Sequence, residues 1–281
     1  MSKTQSWLAE IGKRGEAPLN IADAGLRLAA LDRPGIIPRI TIDRYHHHLK
    51  LLASDVAKAG ADATTASARA ASLRDVLWQK HGYTGDSETC DNPENANLMS
   101  VIDRRKGLPV ALAILYIHVA RAQGWPAEGI NFPEHFLIRV EGVNDRAIID
   151  PFNDGRELDA GALRALIKEI AGPEGELQPG FYEPVSDRDI LIRLQNNIRL
   201  RAFKAGDIPR AVEVLYRLVQ LDPGCPEFWY ELGMLEAHRE HWREGQAALL
   251  KCLDALEQRP GGDDMRERIM ETLGEIPPNM K

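Results

Sequence analysis

Three residues are of the types that acyl transfer through a thiol requires: Cys90, His135 and Asp150. A thiolate attacks, an imidazole moves the proton, and a carboxylate fixes the imidazole tautomer. His135 and Asp150 flank two short β-like stretches, Phe136 to Val140 and Arg146 to Asp150. The turn-rich Glu141-Gly142-Val143-Asn144-Asp145 joins them. A turn centred between Gly142 and Val143 sets His135 directly opposite Asp150, with Cβ atoms about 5 Å apart. A slip of one residue would send them to opposite faces. The pair also has a structural reading, in which the imidazole bridges a carboxylate and a backbone group and Asp150-Pro151 ends a strand. A third reading is general-base chemistry or non-covalent ligand binding.

The other polar constellations are weaker. His46-His47-His48 follows Tyr45 on an expected helix, and three consecutive helical residues do not share a face. They read as solvated or half-buried. His238 and His241 have i,i+3 spacing but no third ligand, and His118 reads as a hydrogen-bonded core histidine. Arg104-Arg105-Lys106 precedes a helix start, where anions bind readily, and reads otherwise as a solvated charge run. No metal and no cofactor is expected.

These residues need elements to position them. Asn92-Pro93-Glu94-Asn95 is a loop signal, after which Leu98 to Arg105 reads as a short helix with Leu98, Val101 and Ile102 on one face. Gly107 breaks it. A longer helix begins near Pro109, where a missing N–H costs nothing, and ends at Gly124. It is apolar on most sides and therefore central and buried. Upstream, Ile40 to Ala59 and Ala63 to Lys80 read as helices covering this core.

Four motifs together, in this order, resemble the bacterial SirB-type family. They are Pro93-Glu94-Asn95, Arg104-Arg105-Lys106-Gly107-Leu108-Pro109, Asn131-Phe132-Pro133-Glu134-His135-Phe136-Leu137 and Asp150-Pro151-Phe152. The resemblance implies an α+β fold: a helix-rich papain- or transglutaminase-like domain with a small antiparallel sheet, followed by an all-α tetratricopeptide (TPR) region. The expected divisions are 1–80 for the N-terminal helices of the first domain and 81–185 for its core. Two repeats at 186–260 and a capping helix with tail at 261–281 complete the chain. The resemblance further implies a cleft near Asn95, Arg104, Arg105, Gly107, Pro109, Phe132 and Pro151, with His135 and Asp150 as vestigial triad members. Asn95 would donate to a ligand there, or else cap the short helix or brace its loop. The superfamily's thiol stands at the start of the buried helix, but here that start is Gly107-Leu108-Pro109-Val110-Ala111, which holds no nucleophile. Cys90, in the preceding loop, is the one substitute.

The C-terminal third is repetitive. A unit of 34 residues runs from Ile192 to Cys225 and a second from Pro226 to Arg259. Gly206-Asp207 marks the inter-helix turn of the first, Ala211 its close-packing position and Asp222-Pro223 its end. Trp229, Leu232, Gly233, Leu249 and Cys252 mark the second, in which Glu236 replaces an aromatic and Gly245 an alanine. The spacing resembles TPR repeats. Such repeats imply a concave groove for a protein or peptide, with Asn196, Asn197, Trp229 and Tyr230 as groove candidates. The same repeats could instead be a stabilising extension.

Net charge is −7 and Arg104-Arg105-Lys106 is the one dense basic cluster, which argues against nucleic acid as a partner. The apolar stretch Leu108 to Ala120 is too short to span a bilayer, so no membrane association is expected. Three widely spaced cysteines fit a reducing cytoplasm. The expected function is a non-catalytic adaptor or regulator. Its rivals are a thiol hydrolase or acyltransferase using Cys90-His135-Asp150, and a small-molecule sensor in the vestigial cleft.

Overall fold

A computed structural model describes residues 3–14, 17–33, 39–89, 91–257 and 262–275. The chain divides into two units, Glu16–Leu194 and Gln195–Lys281 with Met1–Gly15. The first helix, α1 (Lys3–Arg14), belongs to the second of these.

The α/β unit opens with α2 (Ile21–Leu31), α3 (Arg39–Ala59) and α4 (Ala66–Arg74), the last continuing as a π-helical stretch, Asp75–Lys80. Asn20 and Thr65 cap α2 and α4 by accepting the N–H groups of Asp23 and Ala68. Then come β1 (Thr84–Gly85), α5 (Leu98–Arg104) and β2 (Lys106–Gly107). The buried helix is α6 (Pro109–Ala122), with all residues from Val110 to Ile117 hidden from solvent. It packs against α2 and α3 and also against the sheet. That all-round burial is why its apolar residues show no single stripe.

The sheet contains β3 (Ala127–Ile130), β4 (Leu137–Glu141), β5 (Arg146–Asp150) and β6 (Arg156–Leu158). After α7 (Ala160–Ala171), β7 (Pro184–Val185) completes it in the antiparallel order β6-β5-β4-β3-β7. A second apolar cluster joins Ile130, Phe132, Leu137 and Leu158 to Leu163, Leu166 and Ile167 of α7. The short strands β1 and β2 pair in parallel, Gly85 beside Gly107. A Cβ at Gly85 would lie 2.5 Å from the Phe152 ring, so only glycine lets this strand meet the turn after β5.

The helical unit comprises α1, the part of α8 (Asp187–Lys204) from Gln195 on, α9 (Ile208–Leu221), α10 (Pro226–His238), α11 (Trp242–Leu256) and α12 (Asp263–Glu275). Gly206 takes φ +72° at the first turn, and Asp207 caps α9. A Cβ on Gly233 would lie 2.6 Å from Leu249, which fixes the close crossing of α10 and α11. Glu236, unusual at its position, is buried. It accepts from Tyr216 Oη at 2.8 Å and from Arg239 at 3.1 Å, and lies 2.8 Å from His241 Nδ1.

The α+β architecture followed by an all-helical repeat region is as the sequence implies. The division, however, falls between Leu194 and Gln195, inside α8, and α1 groups with the repeats instead of the α/β core. The reason is packing: α1 lies on α9, with Gly12 close to the Gln220 carbonyl. No helix among the described residues is long and apolar enough to cross a membrane.

Candidate functional site

The start of α6 is built from three of the four sequence motifs. Leu108 sits at the N-cap in extended geometry with no side-chain cap, and Pro109 occupies the first turn. The Leu108 N–H donates to the Asn95 carbonyl at 2.9 Å. Proline has no N–H, so two groups that could face an oxyanion here are spent or missing. The Gly85 N–H donates to the Phe152 carbonyl at 3.0 Å, which ties the turn after β5 to the same corner. Cys90 lies outside the described residues.

The β4–β5 ladder runs from Glu141 opposite Arg146 to Ile138 opposite Ile149. Extending it by one residue sets Leu137, not His135, against Asp150. The expected register was two residues off because the turn centres between Val143 and Asn144, one residue later than between Gly142 and Val143, with the Gly142 N–H donating to the Asp145 carbonyl at 2.8 Å. His135 lies before β4, in a turn where Glu134 takes φ +56° and the His135 N–H donates to the Phe132 carbonyl. Its half-buried imidazole lies edge-on to the Phe132 ring at 6.4 Å, and Phe132 in turn meets Phe181 at 5.9 Å.

Asp150 is 1% exposed, and its oxygens serve its own turn. Oδ1 accepts the Phe152 and Asn153 N–H groups at 3.0 and 3.2 Å, and Oδ2 accepts Asn153 Nδ2 at 2.7 Å. Pro151 beside it is buried. Among the described residues, no hydrogen bond or ion pair joins Asp150 to His135.

Asn95, fully buried, braces a loop. Its Nδ2 donates to the Thr89 carbonyl at 2.8 Å and its Oδ1 accepts from Arg104 at 2.8 Å. Asn97 caps α5 instead, and also donates to the Ala29 carbonyl of α2. Arg104 continues to Asp86 at 3.0 Å. The Thr89 hydroxyl, followed by the Thr89 N–H, Asn95 and Arg104, holds the buried Asp86 carboxyl well below the usual carboxylate range against the opposing cost of burial. Arg105 closes α5 in left-handed geometry (φ 62°), and its guanidinium lies 4.7 Å over the Tyr83 ring. It donates to Tyr83 Oη, and its Nη1 lies 2.8 Å from His48 Nε2. Burial, and then the Arg105 charge, push the His48 imidazole down to about 4. Two of the three basic residues thus act as struts, Arg104 from an exposed position and Arg105 from a half-buried one, while half-buried Lys106 pairs with Glu88 at 3.1 Å.

In the helical unit, Asn196 accepts from Arg199, and Asn197 accepts from Arg201. Trp229 donates to the Pro223 carbonyl at 2.9 Å, and with Tyr230 it packs onto Leu249, Cys252, Leu256 and Ile269. The large apolar side chains that α8 exposes are Leu200 (46%) and Phe203 (53%), neither of them singled out from the sequence. Their i,i+3 spacing was the available signal.

Residues 43–196 match the profile of the transglutaminase-like superfamily, and residues 198–273 match that of the tetratricopeptide repeat. A UPF0162 protein of Pseudomonas aeruginosa is 30% identical over 270 residues, covering 94% of this chain and 93% of the relative. A UPF0162 protein of Xylella fastidiosa is 30% identical over 208 residues, covering 73% and 74%. F-box only protein 21 of Homo sapiens is 29% identical over 195 residues, 65% of this chain but 30% of that protein. A helix-rich core with a small antiparallel sheet, joined to helical repeats and matched along nearly its whole length by such relatives, places this chain in the transglutaminase-like superfamily, among the UPF0162 proteins.

Proposed function

We propose that this protein is a non-catalytic member of its superfamily that acts as an interaction adaptor or regulator, holding a protein or peptide partner through its repeat region. The SirB-type resemblance belongs to this reading and implies a regulatory role. The observation that carries the proposal is the start of α6. There a leucine and a proline stand where the superfamily's thiol is expected, and the Leu108 N–H is already donated to Asn95. The local use of every Asp150 oxygen supports it further. Leu200 and Phe203 on α8 offer apolar surface for the partner.

The test compares wild-type protein, Cys90→Ala and the double variant Leu200→Glu/Phe203→Glu in crosslinked partner capture and in hydrolysis of an activated acyl ester. The double variant loses the specific partner while Cys90→Ala keeps it, and no hydrolysis depends on the thiol. Ester hydrolysis abolished by Cys90→Ala and retained by the double variant would overturn the proposal in favour of a Cys90-His135-Asp150 hydrolase.

A further inference from the structure

Asp43, His46, His47 and Lys50 are spaced i, i+3, i+4 and i+7, so they share one face of α3. With Asp23 of α2 and His118 of α6 they line a cleft of about 560 Å³, large enough for a small metabolite. The cleft lies wholly within the α/β unit, among helices that pack on one another.

Its charges are mostly settled by pairing. Asp23 Oδ2 lies 2.9 Å from Arg27 Nε, and Asp23 Oδ1 lies 2.9 Å from His46 Nε2. Exposed Asp43 and exposed Lys50 offset each other. The His118 imidazole, half-buried, makes no hydrogen bond among the described residues. The imidazoles therefore decide the sign of the cleft: neutral, they leave it balanced; protonated, they make it cationic. Among the described residues no group of three or more His, Cys, Asp or Glu side chains is arranged to hold a metal ion, which leaves a ligand without metal as the occupant.

We propose that this cleft binds a small oxyanion through Lys50 and the imidazoles of His46 and His118, with proton uptake on binding. Burial first, and then the charge of His46, hold the His118 imidazole below its ordinary value. An anion seated beside it raises that value, so the bound state takes up a proton that the free state lacks. Affinity then climbs as pH falls. The acidic groups opposing this are Asp23 of α2, already paired with Arg27, and Asp43 of α3.

The experiment titrates the full chain with inorganic phosphate and, separately, with succinate, by calorimetry near pH 6 and near pH 8. The His118 ring nitrogens are followed by NMR. Saturable binding about tenfold tighter at the lower pH, with buffer-dependent heat, is expected for one coupled imidazole. Lys50→Met and His46→Gln, both on a solvent-facing stripe, each weaken it about fivefold. Response to phosphate alone assigns a phosphoryl ligand, response to succinate alone a carboxylate. The proposal fails if neither probe saturates at the lower pH, if affinity is the same at both pH values, or if the His118 signals stay fixed while binding occurs.

Discussion

The corner at the start of α6 and the face of α8 differ in what they leave available. Around α6, Asn95, Arg104, Arg105 and Asp150 are residue types associated with catalysis, yet each is committed to a loop, a ring or its own turn. On α8, Leu200 and Phe203 carry no chemistry, yet they stand in solvent. A polar side chain buried in a fold must be hydrogen-bonded, and once its partners are backbone groups it has little left for a ligand. Reactive type and availability are therefore separate properties, and burial decides the second.

Substitutions at three positions test that contrast. The largest effect is expected at Gly85, whose added Cβ meets the Phe152 ring across atoms that cannot simply swing away. Gly85→Ala should cost about 3 kcal/mol in chemical denaturation. A cost near zero would mean that the corner is loosely packed and could still admit a ligand. Asp150 comes next. Asp150→Ala leaves the Phe152 and Asn153 N–H groups without their acceptor and should cost about 2 kcal/mol. Asp150→Asn, which keeps one carbonyl oxygen, should recover much of this. Equal loss in both variants would point to a need for the negative charge and away from a purely structural turn. The smallest effect is expected on α8: Phe203→Glu should change stability by under about 0.5 kcal/mol. A larger loss would show that this side chain is part of the unit's own core.

Local sequence signals marked many of the helices and their order, though not α7. Proline at the start of α6, glycine at the turn before α9 and the repeat spacing act through neighbours close in the chain, and the structure places α3, α5, α6 and α8 to α12 near the expected bounds. The strands Phe136 to Val140 and Arg146 to Asp150 were legible for the same reason, and shift by at most one residue. The His135 register was not. The Gly142 to Asp145 hydrogen bond centres the turn one residue later than expected, and a centre shifted by one residue changes the register by two, moving the partner of Asp150 from His135 to Leu137. The donation from Leu108 to Asn95 was equally hidden, because it joins backbone groups that no side-chain pattern advertises. The stripe Asp43, His46, His47 and Lys50 was present in the sequence but masked by the more conspicuous run of three histidines. Only tertiary packing separated that run, sending His48 to Tyr83 and Arg105 and bringing His46 beside Asp23 in the cleft it shares with His118. Local rules fix where the backbone turns. Which side chains meet across elements depends on packing that no stretch of chain contains.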